Sequence, residues 1–173
     1  MRDNDTIAAI ATANGRSAIG IIRVSGPGVD VILHEHAPSI RPRNATLVDF
    51  CDDKHEKIDS VIMIYYKSPH SYTGEDLLEI QTHGNPIILG KIINILCPKY
   101  ARQARAGEFT ERAFLNNKID LLQAEATIDL INSSSIAAAN SAMKSLSGSY
   151  SKQVSEIKSD IIKTRSSIEA IIN

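Results

Sequence analysis

The distribution of proline divides this chain into two parts that must fold differently. All 6 prolines lie between Pro27 and Pro98, and none occurs in the rest of the 173 residues. Proline has no amide hydrogen and a fixed φ angle, so the interior of a helix excludes it. The part without proline, which follows Tyr100, is rich in Ala, Ser, Ile, Lys and Glu, a composition that favours helix. We therefore expect strands and turns in the first part and long helices in the second.

Composition limits the classes of protein to which the chain can belong. Hydrophobic residues make up 43% and charged residues 23%, which is typical of a soluble globular protein. The formal net charge of −1 gives no general attraction to nucleic acid. No apolar run approaches the ~20 residues of a membrane span and no signal-peptide pattern is seen, so we expect a cytoplasmic protein without membrane contact. Cys51 and Cys97 lack the spacing of a disulfide framework or a zinc site.

Short runs rich in apolar residues predict five strands in the first part. The predicted strands cover residues 6–11, 17–24, 46–50, 58–66 and 77–83. Asn14-Gly15 is a strong hairpin signal between the first two strands. Asn85 followed by Pro86 is typical of a helix start. Because the strands occur in adjacent pairs with helices between them, we predict an α+β fold with a mixed, largely antiparallel sheet.

The part without proline is predicted to form three helices. A short helix covers residues 107–115, a second begins after Asp120 and extends through Ile131, and a third begins after the three serines at 133–135. The third helix carries apolar residues every three or four positions from Met143 to the end of the chain. Such an apolar face must be covered. We therefore expect that the protein oligomerises or that these residues belong to a longer chain.

Two motifs resemble binding sites without meeting the chemical requirements of those sites. Residues 84–91 resemble a phosphate-binding loop, but five residues separate its glycines, Ile92 replaces the required hydroxyl and Pro86 removes an amide donor. Glu79 and His83 share one face of a predicted strand, but they lie two pleats apart, roughly 13 Å, which is too far for one metal ion. We therefore predict neither a nucleotide site nor a metal site here.

Three polar residues leave more than one interpretation open. Glu79 is either an ordinary solvent-facing strand residue or a carboxylate that lines a cleft, where it can accept two parallel hydrogen bonds from a pterin or guanine edge. Arg23 lies in an apolar strand, which is costly unless its guanidinium reaches water or an anion. Lys118 lies between two predicted helices and is, taken alone, a surface lysine.

The stretch from Lys99 to Arg105 is locally basic and contains one aromatic residue, Tyr100. It is a candidate for contact with RNA phosphates, although three or four charges make a weak patch. A solvated connector is the simpler interpretation.

Three blocks of sequence resemble one known family. They are DTIAAIATANGRSAIGIIRVSGP, SYTGEDLLEIQTHGNP and AGEFTERAFLNNKIDLLQAEATIDLINS, which span most of residues 4–133. In order and spacing they closely resemble the N-terminal part of the tRNA modification GTPase family (MnmE, also called TrmE) of bacteria and organelles. The resemblance implies a folate-binding and dimerisation domain at residues 1–118, similar to those of the glycine-cleavage T-protein class. It also implies the beginning of a helical domain at residues 119–173.

The resemblance further implies a cofactor, partners and site residues. In this family the N-terminal domain forms a homodimer and binds a tetrahydrofolate derivative, 5-formyl- or 5,10-methylene-tetrahydrofolate. With an FAD-dependent partner protein, the family modifies carbon 5 of the wobble uridine in certain tRNAs. The family's folate contacts correspond to Arg23, Glu79 and Lys118 of this chain. No catalytic residue and no metal ligand are implied within it.

The GTPase activity of the family belongs to a G domain that these residues do not include. No Walker loop, guanine-specifying motif or C-terminal cysteine motif occurs in the 173 residues. GTP, magnesium and potassium are therefore expected only with the absent G domain, and we expect a chain that is not catalytically active alone. Two alternatives remain open: a homodimerisation scaffold without cofactor, and a weak RNA-binding module built on residues 99–105.

Overall fold

The computed structural model describes residues 5–172, which belong to two compact units. The first unit extends to Asn116, and the second begins at Asn117. In the part that the structure describes, a sheet with three helices forms the first unit, whereas the second unit contains helices. Within residues 5–172, no helix is both long and apolar enough to cross a membrane.

The first unit is an α+β domain with one mixed sheet. Its elements, in chain order, are β1 (Ile7–Ile10), β2 (Ser17–Ser25), α1 (Gly28–His36), β3 (Thr46–Cys51), β4 (Lys57–Tyr66), β5 (Leu77–Gly84), α2 (Pro86–Lys99), β6 (Arg102–Gln103) and α3 (Glu108–Leu115). The strand order across the sheet is β3-β4-β5-β2-β1-β6, and only β1 and β6 run parallel. The predicted α+β fold with a largely antiparallel sheet is therefore confirmed. Strand β6 was not predicted from the sequence.

One face of the sheet carries the hydrophobic core. Alternate residues of the central strands, such as Val24, Met63 and Ile80, are fully buried and belong to one cluster with Ile32 of α1 and Ile92 of α2. Each such side chain stabilises the fold by about 1.5–3 kcal/mol. Successive side chains of a strand point to opposite faces, so the residues between these core positions project from the other face of the sheet.

Contacts between neighbouring residues determine where β5 ends and α2 begins. The side chain of Asn85 accepts a hydrogen bond from the amide of Ile87 at 2.9 Å, and Pro86 is the first residue of the helix. A Cβ atom on Gly84 would lie 2.5 Å from the carbonyl oxygen of Ser17, so only glycine fits where β5 passes β2. The segment that resembles a phosphate-binding loop is therefore a capped helix start, as the sequence predicted.

The second unit contains α4 (Leu121–Asn132), α5 (Ile136–Leu146) and α6 (Ser149–Ile172). Asp120 forms a capping box: its carboxylate accepts from the amide of Gln123 at 2.8 Å, and the side chain of Gln123 accepts from the amide of Asp120 at 3.0 Å. Ser135 caps α5 through its side-chain oxygen. Both helix starts were predicted from the sequence.

The prediction of a single last helix is wrong, because the chain breaks between α5 and α6. Gly148 has a φ angle of +80°, in the left-handed region that ends helices. The apolar periodicity continues across the break, which is why the sequence pattern did not reveal it. Along α6 the apolar face stays exposed, with Ile157 at 61% and Ile161 at 63%.

Candidate functional site

Arg23 of β2 and Glu79 of β5 form an ion pair on the face of the sheet opposite the core. The two residues are directly opposed in the antiparallel register. Arg23 Nε donates a hydrogen bond to Glu79 Oε1 at 2.7 Å, and Arg23 Nη2 lies 2.7 Å from the same oxygen. Two of the three residues assigned to a cofactor by the sequence resemblance therefore contact each other directly.

The ion pair is partly withdrawn from water. The side chain of Glu79 is 13% exposed and that of Arg23 is 37% exposed. Burying a charge is costly unless an opposite charge or hydrogen bonds accompany it, and here each residue satisfies the other. The ion pair thus accounts for both an arginine within the apolar strand β2 and an acid on the polar face of β5. Pairs of this kind also occur as purely structural features of sheets.

Two tyrosines flank the ion pair. The ring centre of Tyr72, in the loop before β5, lies 5.8 Å from the guanidinium carbon of Arg23, and its hydroxyl lies 3.0 Å from Thr110 Oγ1 of α3. Tyr66, the last residue of β4, lies close to Glu79: burial and then the charge of Glu79 raise the pKa of its phenol. We call Arg23, Glu79, Tyr66 and Tyr72 the β2–β5 cluster. Flat rings beside paired charges suit a planar, polar ligand.

The loop before β5 is held by its two acidic residues. Asp76 accepts a hydrogen bond from the hydroxyl of Tyr65 at 2.8 Å. Glu75 accepts from Ser25 Oγ at 2.7 Å and from Arg112 Nη1 at 3.0 Å. These contacts tie the loop to β4, β2 and α3, and so determine where β5 begins.

A buried carboxylate anchors α3. Glu108, 3% exposed, accepts hydrogen bonds from Arg102 Nη1 at 2.8 Å, from Arg102 Nη2 and from the amide of Arg105 at 2.7 Å. The guanidinium of Arg102 more than offsets the effect of burial and lowers the pKa of Glu108 to about 2. Arg112 donates to the carbonyl oxygen of Asp5 at 2.8 Å. The charged residues of the third sequence block therefore join α3 to β6 and to the segment before β1.

The basic residues between 99 and 105 are paired with acids. Lys99 Nζ lies 2.7 Å from Glu35 Oε2, and Arg105 Nη2 lies 2.8 Å from Glu111 Oε2. Arg102 pairs with Glu108, as described above. A surface that binds RNA needs positive charge that is available to phosphates. This arrangement therefore does not favour the RNA-binding alternative.

His83 contacts an aspartate rather than Glu79. Its Nδ1 lies 2.9 Å from Asp59 Oδ1, and Asp59 also accepts hydrogen bonds from the amide of His83 and the hydroxyl of Thr82. Burial opposes ionisation of Asp59, but these hydrogen bonds prevail and lower its pKa to about 2. Among the residues that the structure describes, no group of three or more His, Cys, Asp or Glu side chains is placed to hold a metal ion.

Lys118 lies in the second unit, in the bend that follows α3 and precedes Asp120, the cap of α4. Arg23 and Glu79 lie in the first unit. Of the three residues assigned to the cofactor by resemblance, the first unit thus brings two into contact.

Tyr66 and Tyr72 were not identified from the sequence. Tyr66 lies two and four positions after Ile64 and Ile62 on β4, so strand alternation predicts that the three share one face. Its proximity to Glu79, however, depends on the register between β4 and β5. Tyr72 lies in an irregular loop, and such loops carry no hydrophobic periodicity from which its position could be predicted. Neither tyrosine can be assigned to the ion pair before the three-dimensional arrangement of the strands and the loop is known.

Comparison with known proteins identifies the family. The family model described as GTP-binding protein TrmE N-terminus matches residues 6–118, and the model described as MnmE helical domain matches residues 121–173. The chain is 51% identical over 174 residues to the tRNA modification GTPase MnmE of Francisella tularensis subsp. novicida, and 47% identical over 171 residues to that of Saccharophagus degradans. These alignments cover 100% and 98% of the chain, and it spans 38% of the length of each relative. The chain therefore belongs to the MnmE (TrmE) family of tRNA modification GTPases and comprises the family's N-terminal domain with part of its helical domain.

Proposed function

We propose that this chain is the folate-binding and dimer-forming part of a tRNA modification GTPase. With an FAD-dependent partner protein, the complete enzyme modifies carbon 5 of the wobble uridine in certain tRNAs, using the one-carbon unit of a tetrahydrofolate derivative. The matches to both domain models and the name of the relatives, tRNA modification GTPase MnmE, support this proposal. Because tRNA is the substrate, the proposed location is the cytoplasm.

The observation that carries the folate proposal is the carboxylate of Glu79 within the β2–β5 cluster. A reduced pterin presents an amino group and a ring N–H side by side, and one carboxylate can accept from both. At 13% exposure, the side chain of Glu79 lies where water competes weakly and where hydrogen bonds are correspondingly stronger. The ring of Tyr72, 36% exposed, offers a flat surface beside this acceptor.

The other two proposed cofactor residues are cations. In the role implied by the family, Arg23 and Lys118 act on acceptor or anionic groups of the cofactor, such as its carbonyl or its glutamate carboxylates. Both 5-formyl- and 5,10-methylene-tetrahydrofolate carry these groups. The one-carbon unit lies away from the edge that Glu79 would bind, so the proposed site accommodates either form.

Hydrolysis of GTP is not part of the role proposed for these residues. No Walker loop occurs in the 173 residues, so the backbone cradle for phosphates and the hydroxyl for magnesium are missing. We assign GTP, magnesium and potassium to the G domain of the complete protein. The proposed role of this chain is thus binding and assembly.

A second candidate function is homodimerisation without a cofactor. Leu47 of β3 and Ile62 of β4 are paired across the strands on the same sheet face as Glu79, and they are 72% and 38% exposed. Ile19 of β2, on the same face, is 58% exposed. Adjacent exposed apolar residues on one face are typical of an interaction surface. We propose that a second copy of the chain covers this face.

Calorimetric titration of 5-formyltetrahydrofolate into the chain separates the two functions. Heat that saturates at one ligand per chain, at two temperatures, supports the folate-binding function. Absence of heat at both temperatures, together with a mass near twice 18.9 kDa by light scattering, would leave the scaffold function alone.

A further inference from the structure

The connection between β1 and β2 differs from the tight turn that its sequence favours. Asn-Gly is typical of a two-residue hairpin turn in which both residues have a positive φ angle. In the structure β1 ends at Ile10 and β2 begins at Ser17, and of the pair Asn14 and Gly15 only the glycine has a positive φ angle, +135°. The pair therefore lies in an open loop between the two strands.

Both residues of this pair are exposed to water and weakly held. The base of the loop is fixed, because the amide of Ala11 donates to the carbonyl oxygen of Ile21 at 2.7 Å and the amide of Ile21 donates to Thr12 Oγ1 at 3.3 Å. Within residues 5–172, the amide of Gly15 makes no hydrogen bond. A Cβ atom on Gly15 would meet no atom within 4 Å. The tip of the loop thus has room to change conformation.

An asparagine followed by glycine reacts with its own backbone, which is one reason why asparagine is thermolabile. The amide nitrogen of Gly15 forms a bond to Cγ of Asn14, and the side-chain nitrogen leaves as ammonia with the proton that the attacking nitrogen gives up. Water then opens the five-membered ring at one of its two carbonyl carbons, which leaves aspartate or isoaspartate. A side chain on the second residue hinders the attack, and a hydrogen-bonded amide must first lose its partner. Gly15 presents neither obstacle.

We propose that Asn14 is a site of spontaneous deamidation in the folded chain. The reaction places a new carboxylate beside the exposed Arg16 and takes the formal net charge from −1 to −2. Isoaspartate also adds one carbon to the backbone, which an open loop accommodates more easily than a paired strand. This modification does not depend on the proposed function.

Other asparagines of the chain each lack one feature of Asn14. Asn44 is also exposed in a loop, but alanine follows it. Proline follows Asn85, and its nitrogen has no hydrogen to give up. The side-chain amide of Asn116 donates to the carbonyl oxygen of Thr73 at 2.7 Å, which restricts its rotation. They serve as internal controls for the reaction.

Incubation of the 173-residue chain at neutral pH, followed over time by anion exchange and peptide mass spectrometry, tests the proposal. We expect a more acidic form that elutes with Asn14→Asp, with Asn14 converted before Asn44, Asn85 or Asn116. Conversion of Asn14 no faster than that of Asn44 would overturn the proposal. Asn14→Gln, whose reaction would require a six-membered ring, should stay a single species over the same time.

Isoaspartate itself is detected with a protein isoaspartyl methyltransferase. This enzyme transfers the methyl group of S-adenosylmethionine to the isoaspartyl carboxylate and releases S-adenosylhomocysteine. We expect labelled methyl groups on the aged wild type and none on aged Asn14→Gln. Equal labelling of the two proteins would place the reactive residue elsewhere and overturn the proposal.

A comparison with the unfolded chain tests the structural part of the proposal. Exposed loops open at almost no cost in free energy, so we expect the rate for Asn14 in the folded chain to be within about tenfold of the rate in urea. If Asn14 keeps its amide in the folded chain and reacts only in urea, the loop protects the pair and the proposal is wrong.

Discussion

The carboxylate of Asp59 accepts a hydrogen bond from the backbone amide of His83 at 2.9 Å. The backbone ladder between β4 and β5 extends only as far as the pair Ile62 and Gln81, so a side chain satisfies this amide at the end of β5. The hydroxyl of Thr82 donates to the same carboxylate at 2.5 Å. Asp59 thus fastens the last residues of the strand that carries Glu79 to its neighbour.

The effect of Asp59 on stability should depend on pH. Burial opposes its ionisation, but the hydrogen bonds from Thr82 and His83 lower its pKa to about 2 from an ordinary value of 3.8. Because the pKa is lower in the folded state, the stabilisation is complete above about pH 4 and is lost as the pH falls towards 2. We expect Asp59→Asn to lower the free energy of unfolding by about 1–2 kcal/mol at pH 7 and by less at pH 3.

Urea unfolding at pH 7 and at pH 3 measures this difference for Asp59→Asn. Asp53→Asn, an exposed acid in the turn between β3 and β4, is the matched control and should change stability by less than about 0.5 kcal/mol. An equal loss for Asp59→Asn at both pH values would contradict the account of its ionisation.

Replacing the buried acid of α3 should destabilise the first unit. Glu108→Gln removes a charge that accepts hydrogen bonds from the guanidinium of Arg102 and the amide of Arg105. We expect a loss of about 2–3 kcal/mol in the free energy of unfolding, because the arginine loses its buried partner. Glu111→Gln, whose side chain is 38% exposed in the same helix, should lose less than about 1 kcal/mol. Equal losses in thermal or urea unfolding would contradict the anchoring role of Glu108.

Two glycine substitutions should change stability in opposite directions. Gly148→Ala places a Cβ on a residue with a φ angle of +80°, so we expect a loss of about 1 kcal/mol in the free energy of unfolding. Gly90→Ala, inside α2, meets no atom within 4 Å and replaces a poor helix former, so we expect a gain of about 0.5–1 kcal/mol. Urea unfolding of both variants measures the signs, and a stabilising Gly148→Ala would show that the break before α6 is not required.

Local sequence signals predicted the parts of the fold that depend on neighbouring residues. Asn85 with Pro86, and Asp120 with Gln123, identify two helix starts because each cap is made within a few residues. Strand alternation also predicted that Glu79 lies on a polar face. These features require no knowledge of what lies across the sheet.

Contacts between distant residues were not predictable from one sequence. Arg23 and Glu79 are 56 positions apart, and their contact depends on the register of β2 against β5, which no local pattern determines. Strand β6 contains two residues and is defined by its parallel pairing with β1. The break between α5 and α6 at Gly148 was not predicted, because the apolar spacing of α5 continues into α6.

The proposed dimer surface predicts which substitutions separate the two copies. Leu47→Lys and Ile62→Lys place charges on the exposed apolar patch of the sheet, where burial against a second copy would be costly. We expect sedimentation at low micromolar concentration to show a dimer for the wild type and mostly monomer for these variants. Ile87→Lys, at a residue 77% exposed at the start of α2, is the control and should remain a dimer. If all four proteins are dimers, the proposal that this face forms the dimer interface is wrong.

The most direct test of the account is the affinity of Glu79→Gln for 5-formyltetrahydrofolate, measured by calorimetry beside the wild type. Gln has the same shape but only one acceptor oxygen and no charge, so we expect affinity to fall by about 10- to 100-fold. Glu56→Gln, in the turn between β3 and β4, should bind within about twofold of the wild type. Saturable wild-type binding that is lost in Glu79→Gln is the predicted result, and equal affinity of the two proteins would contradict the assignment of Glu79 to the folate site.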